Sequence, residues 1–417
     1  MKVRLSIALL IIILASSCKK EDIPVEGLVL SSYSVNLKVG ESLDIIADVL
    51  PMNATNARLT WISRDEAVVT VSNSGSITGA GLGSTYIVIN SSNDAIKDSC
   101  LVFVNGTLTG TAGNETLTMG SGYAYDVYYS MTNGVVATVP RNNWDIAFLT
   151  GSWTSTIIIN SGAGVKLFTY PNGNISSWNA MNINDIAAWD EMINSDTTWS
   201  YGAFERNALG HPDYGWGIYN SITHDVVGDS LFVIQLADKS YKKLWIKKKV
   251  STANKYIFQV ANIDGTGELT DTVDCAPYTA KNFIYYSFAS KDVVDREPAS
   301  TSWDLVITKY IEMISDDNGN KVPYPVTGVL TNSGVKSATL DNVPLTTTDY
   351  SNAVFVRSIS EIGSDWKSFS MSTFQYTVLN NRVYFVKDRN SSVFRLVFTG
   401  FGGSSTGIIT FSKAKLN

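Results

Sequence analysis

Tyr128-Tyr129-Ser130-Met131, Val135-Val136 and Trp144-Asp145-Ile146-Ala147-Phe148 return as Tyr285-Tyr286-Ser287-Phe288, Val293-Val294 and Trp303-Asp304-Leu305-Val306-Ile307. Asn160-Ser161-Gly162 with Val165-Lys166 returns as Asn332-Ser333-Gly334 with Val335-Lys336. Farther on, Leu231-Phe232-Val233-Ile234 ahead of Tyr241 and Leu244-Trp245-Ile246 parallels Val383-Tyr384-Phe385-Val386 ahead of Phe394-Arg395-Leu396. The closing strands, Tyr256-Ile257-Phe258 and Ile409-Thr410-Phe411, also correspond. Pieces that recur in one order mark a duplication. The expected architecture is two similar β-rich halves, 116–270 and 275–417, with Trp144 and Trp303 each buried in its own half. Asp145 and Asp304 are then expected to accept local backbone N–H bonds. One helix is predicted over 185–194, capped by Asn184, with Ile186, Trp189 and Ile193 on one face.

Upstream of the repeat, residues 25–104 read as short strands punctuated by Gly, Pro and Asn, with no helical pattern between them. Examples are Leu28-Val29-Leu30, Val68-Val69-Thr70-Val71, Tyr86-Ile87-Val88-Ile89 and Leu101-Val102-Phe103-Val104. In order, Leu37-Lys38-Val39-Gly40, Val49-Leu50-Pro51 with Ala54-Thr55-Asn56, Trp61-Ile62-Ser63, Val71-Ser72-Asn73-Ser74-Gly75, Thr78-Gly79 and Gly83 resemble the bacterial immunoglobulin-like group 2 (Big2) domain. The resemblance implies an Ig-like sandwich acting as a spacer or adhesion module, with Trp61 filling its core. Gly79-Ala80-Gly81-Leu82-Gly83 is a turn rather than a nucleotide loop, because Ser84 stands where the last glycine is required. Residues 105–115 read as a Gly/Thr/Asn-rich linker. The whole chain is therefore expected to be all-β with few short helices.

The N-terminus carries an address. Lys2 and Arg4 precede an apolar run, Leu5 to Leu14, that is too short to span a bilayer. Ala15-Ser16-Ser17-Cys18 follows, and it resembles the lipobox of bacterial lipoproteins. The resemblance implies a signal peptide over 1–17, lipidation at Cys18 and a tether over 18–24. Lys20-Glu21-Asp22 resembles the signal that sends Bacteroidetes lipoproteins to the cell surface. The expected location is the outer membrane, lipid-anchored, at the surface of a Bacteroidetes-type bacterium.

Composition narrows the rest. The 417 residues are 44% hydrophobic and carry a net charge of −6, so they support packed cores and no basic footprint for nucleic acid. Three cysteines and two histidines exclude Cys-rich zinc modules and disulfide scaffolds. Cys100 and Cys275 are expected as two buried thiols.

A second resemblance rests on Asn143-Trp144-Asp145-Ile146-Ala147-Phe148, the Asn160-Ser161-Gly162 turn, Gly217-Ile218-Tyr219-Asn220 with Thr223-His224, and Phe232-Val233-Ile234 through Ala237-Asp238 to Tyr241-Lys242-Lys243-Leu244. These look like the HmuY-like haem-binding lipoproteins of Bacteroidetes. The resemblance implies an all-β fold, haem iron gripped between two axial His or Met side chains, and delivery to a TonB-dependent outer-membrane receptor.

His211, in the turn Gly210-His211-Pro212-Asp213, and His224, after Thr223, are the candidate axial ligands, since imidazole suits haem iron. Met131, Met181, Met192, Met313 and Met371 are alternative soft ligands. Neither H-E-x-x-H nor a phosphate loop occurs, and the chain is expected not to be an enzyme. Three readings stay open: a haem or small-ligand binding lipoprotein, a glycan-binding or adhesive surface protein using its 20 Tyr and 10 Trp, and a structural surface protein.

Overall fold

A computed structural model of the chain describes residues 22–55, 57–81, 83–91, 96–105, 113–316 and 318–416. The signal segment, Cys18, most of the tether and residues 106–112 of the expected linker lie outside the described residues. The structure is all-β, and its helical elements are short, three to six residues each.

The first module is a sandwich. Ser34–Lys38, Lys97–Asn105, Gly83–Ser91 and Leu59–Ser63 form one sheet, and Ser42–Asp44, Ser76–Gly79 and Val69–Val71 the other. Alternate residues point inward, so Val35 and Leu37, Ile87 and Ile89, and Cys100, Val102 and Val104 share one core. Trp61 borders that core and stays partly exposed rather than filling it. Its ring leans on Gly75, where a Cβ would stand 2.7 Å from the indole and 2.5 Å from the Ile45 carbonyl oxygen, and where φ is +89°. The module touches the next region through Tyr125, whose ring meets Phe103 edge-on at 4.7 Å.

The larger region stacks four sheets. One outer sheet contains Lys166–Thr169, Phe232–Gln235, Tyr241–Val250 and Lys255–Asn262; the other contains Lys336–Asp341, Arg382–Lys387, Val393–Phe401 and Ile408–Lys415. Between them lie two inner sheets. The first joins Ile146–Leu149, Ile157–Ile159, Phe283–Ser287 and Asp292–Val294; the second joins Tyr125–Ser130, Gly134–Pro140, Leu305–Ser315 and Lys321–Thr331. Each inner sheet buries one face against its outer sheet, Ile146, Phe148, Ile284 and Tyr286 in one core and Val127, Tyr129, Leu305 and Ile307 in the other. The opposite faces meet each other through aromatic rings. Tyr128 packs edge-on to Trp303 at 5.0 Å, Trp144 edge-on to Tyr285 at 4.8 Å, and the two tyrosine hydroxyls come within 3.4 Å. Each ring pair contributes roughly 0.5–1.5 kcal/mol beyond its buried area.

Strand pairing crosses the expected boundary between the halves. Tyr125–Ser130, early in the first half, pairs with Leu305–Ser315 of the second, while Phe283–Ser287 of the second pairs with Ile146–Leu149 of the first. Likewise Gly113–Thr118 pairs with Ile408–Lys415. Residues 113–115, expected in the linker, are therefore strand. The packed units are a continuous lobe, residues 141–300, and a split lobe built from 113–140 and 303–416. Each expected half therefore lends its opening strands to the other.

The Trp-Asp pairs sit where the exchange is made. The Asp145 carboxylate accepts the Phe288 N–H at 2.7 Å, and the Asp304 carboxylate accepts the Met131 N–H at 2.7 Å. These bonds join the halves and are not local, and neither Trp is enclosed by its own half alone. Asn160 and Asn332 repeat the match, donating to the carbonyls of Trp144 and Trp303 at 2.9 and 2.7 Å. Cys100 and Cys275 are free, buried in different cores, and burial pushes each thiol up to about 11.

No helix forms over 185–194. A single 3-10 turn spans Ile186–Ala188, and Glu191–Met192 joins Lys166–Thr169 as a strand. Ile186 and Trp189 pack against Trp178 on one side of that sheet, while Met192 enters the core on the other. A helix presents one apolar face and cannot serve both sides; an extended chain can.

Candidate functional site

Sixty-odd residues separate the strand ending at Thr169 from the one beginning at Phe232, and both histidines lie in this excursion. It is pinned to the continuous lobe by buried polar contacts. Trp216 is fully buried and donates from Nε1 to the Ser155 carbonyl at 3.0 Å. Glu205 accepts the N–H groups of Ile157 at 3.0 Å and Gly202 at 2.6 Å. Burial pushes its carboxyl up to about 8 against those bonds.

On that base, Gly217–Tyr219 and Val226–Gly228 form a hairpin. Asn220 shapes its loop, accepting the N–H groups of Ile222 at 2.9 Å and Thr223 at 3.1 Å on its side chain. His224 occupies the left-handed region with φ 61°, a conformation costly for a residue with a Cβ. The adjoining turn carries His211, closed by the Asp213 N–H on the Gly210 carbonyl at 2.8 Å and held to the hairpin by the Tyr219 N–H on Pro212 O at 2.8 Å.

The two loops converge on one ring. His211 lies 5.1 Å from the centroid of Tyr219, and His224 lies 6.1 Å from it. Nδ1 of His224 and the Tyr219 hydroxyl are 2.6 Å apart, so that contact commits Nδ1 and leaves Nε2 as the coordinating nitrogen. Trp153, from the turn after Ile146–Leu149, meets His224 edge-on at 6.1 Å. Trp153 is 72% exposed and Ile222 88%, which makes this a patch of large apolar side chains in solvent. The donor chemistry fits haem iron, and the patch supplies apolar surface for a flat ring.

Sequence reading selected His211 and His224 but not the residues that unite them. Tyr219 was visible only within Gly217-Ile218-Tyr219-Asn220. Trp153 carried one usable signal, a tryptophan set among turn residues in Gly151-Ser152-Trp153-Thr154. Of the alternative ligands, Met131, Met181 and Met192 are buried in separate clusters, and Met371 is exposed at the far lobe. Met313 lies on Leu305–Ser315, away from the histidines. Among the described residues no group of three or more His, Cys, Asp or Glu is placed to hold a metal ion.

An antiparallel and partly parallel sandwich with this core is an Ig-like fold, and the sequence identifies its kind. Residues 24–100 match the bacterial Ig-like domain (group 2), so the first module is a domain of that family. An uncharacterized protein of Bacillus cereus is 26% identical over 90 residues, covering 21% of this chain and 68% of that one. Among solved structures, a candidate HmuY-like haem-binding protein from Bacteroides vulgatus is 15% identical, with a TM-score of 0.19 over 31% of this chain and 83% of that one. Apo PinO from Porphyromonas gingivitis is 11% identical, with a TM-score of 0.23 over 74% of this chain and 99% of that one.

Proposed function

We propose that the chain is a lipid-anchored binding protein of the cell envelope. The Ig-like domain spaces the two lobes from the outer membrane, and the Tyr219 surface takes haem for delivery to a TonB-dependent receptor. The lipobox-like Ala15-Ser16-Ser17-Cys18 supports the anchor. One observation carries the binding site: the only two histidines among 417 residues, thirteen apart in sequence, meet the same tyrosine ring within an exposed apolar patch. Bound there, haem would contribute a redox-active iron as cargo, with His211 and His224 as its protein ligands and Trp153 and Ile222 against the ring.

Haem titration followed in the Soret region tests the reading. A saturable shift is expected, weakened at least about tenfold by His211→Ala or His224→Ala through loss of an iron bond. No saturable change in either iron oxidation state, or binding indifferent to both substitutions, would overturn it.

A further inference from the structure

Where the two inner sheets meet, the aromatic seam does not close. A cavity of about 80 Å³ remains, walled by Tyr128, Trp144, Trp199, Tyr285, Tyr310 and Leu330. That is space for roughly half a dozen waters, far too little for a porphyrin. A second cavity of about 40 Å³ shares Trp199, Tyr310 and Leu330 with it.

Its polar lining is unbalanced. Arg296 donates through Nη2 to Asp126 at 2.7 Å and to the Pro140 carbonyl at 2.9 Å, and Thr308 donates to the other Asp126 oxygen at 2.7 Å. Asp126 is thereby used on both oxygens. Arg296 is 7% exposed and Trp144 8%, yet Arg296 Nε–H and Trp144 Nε1–H have no acceptor among the described residues. Lys309 borders the space, but along Leu305–Ser315 its side chain shares the parity of Leu305 and Ile307 and leaves the sheet on the face opposite Thr308 and Tyr310. Arg141 stands just behind, spending its guanidinium on the neutral carbonyls of Tyr123, Gly162 and Gly122. The other nearby carboxyl, Glu297, faces away: it accepts from the Asn282 and Phe283 N–H groups and the Tyr285 hydroxyl, each at 3.0 Å. Arg296 and Arg141 therefore share one fully committed carboxylate, and the Arg296 Nε–H and Trp144 Nε1–H are left without an acceptor. A buried donor without an acceptor is costly, and excess positive charge compounds the cost.

We propose that this cavity is a binding site for a small organic anion, a carboxylate with a short apolar body. Its oxygens accept from Arg296 Nε and Trp144 Nε1, and its carbon chain lies along the aromatic walls. The size limits the ligand to about four to eight non-hydrogen atoms. The site is separate from the Tyr219 surface and does not depend on haem binding there.

The test uses the full mature chain without haem and sodium propionate as probe, followed by calorimetry and by ligand-observed NMR up to about 50 mM. Saturable binding is expected, with propionamide at least about tenfold weaker because the charge is lost. Arg296→Lys and Trp144→Phe should each weaken propionate about fivefold or more, Arg296→Lys while keeping a cation beside Asp126 and Trp144→Phe while keeping or raising the melting temperature, since it deletes an orphan donor. The double substitution covers the case where one variant folds poorly. Absence of saturable binding, equal affinity for propionate and propionamide, or affinity unchanged in both folded variants overturns the proposal. Haem titration repeated with Trp144→Phe should be unaffected.

Discussion

The continuous and split lobes share one frame and differ in what they hang on it. In both, a Trp-Asp pair sends its carboxylate to a backbone N–H of the other half, and an Asn two strands on donates to the Trp carbonyl, with nearly equal distances. The excursions from that frame have nothing in common. The continuous lobe carries the histidine hairpin, pinned by Trp216 and Glu205. The split lobe carries Lys367–Ser370 and Gln375–Val378, a small hairpin with Phe369, Phe374 and Tyr376 exposed. The hydrogen bonds of the frame match and the excursions do not, so the histidine surface belongs to one lobe, whereas the cavity between the inner sheets is lined by both.

The largest effect should come from cutting the chain in the two possible places. A fragment of residues 141–300 holds every strand of the continuous lobe and is expected to fold, with dispersed NMR amide signals. A fragment of 116–270 lacks Phe283–Ser287, exposes Phe148 and Ile146, and is expected not to fold. If 116–270 folds cooperatively, the exchange is not required and the lobes are independent.

Next is the pH dependence, in which the lobes differ. Glu205 and Glu297, both in the continuous lobe, have carboxyls pushed up to about 8 and about 7, in each case by burial first. Raised folded values mean that stability is fully present below the ordinary value of 4.5 and is lost as pH climbs through 7 to 8. Each carboxyl contributes roughly 3 kcal/mol or more to that decline. Urea unfolding of the 141–300 fragment between pH 4.5 and 8.5 checks this, and Glu297→Gln should flatten the lower part of the curve. In the split lobe, Glu115 is also raised by burial but faces Lys413 at 3.6 Å, which opposes the shift.

Smaller, and the sharpest check of equivalence, are Asp145→Ala and Asp304→Ala. Each strands a backbone N–H of the opposite half and should destabilise by about 2 kcal/mol. A ratio far from one in chemical denaturation would show that the matching bonds are not matching in energy. Smallest are His211→Ala and His224→Ala, on exposed loops outside the shared frame. Stability should change by no more than about 0.5 kcal/mol, so any effect on haem is an effect on the site.

Much of this frame was legible. Tyr128-Tyr129 and Tyr285-Tyr286 recur because one tyrosine of each pair fills a core and the next faces the seam, a two-residue alternation that survives divergence. The place where the halves trade strands was not legible, because a repeat shows that two segments follow one path, not which copy completes which sheet. The helix over 185–194 failed for a related reason: Ile186, Trp189 and Ile193 have helical spacing, yet Leu167 pairs with Met192 in a ladder whose two faces both need apolar residues. At the site, the histidines stood out by scarcity alone. Tyr219, Trp153 and the cavity beside Arg296 and Trp144 are juxtapositions made by the fold, and no local pattern announces them.

The pairing of Gly113–Thr118 with Ile408–Lys415 also has a consequence in time. Synthesis runs from the N-terminus, so the continuous lobe has all its strands once residue 294 is available. Residues 113–140 emerge earlier but must wait for the end of the chain: the Thr118 hydroxyl meets the Thr406 carbonyl across 288 residues of sequence. Contacts that distant form last and slowly. Through that interval Leu117, Val127 and Tyr129, all destined for a core, lie unburied, and a β-strand with an open edge pairs readily with other chains. A nascent molecule is therefore most in need of a holding chaperone over residues 113–140, for a reason that lies in Ile408–Lys415.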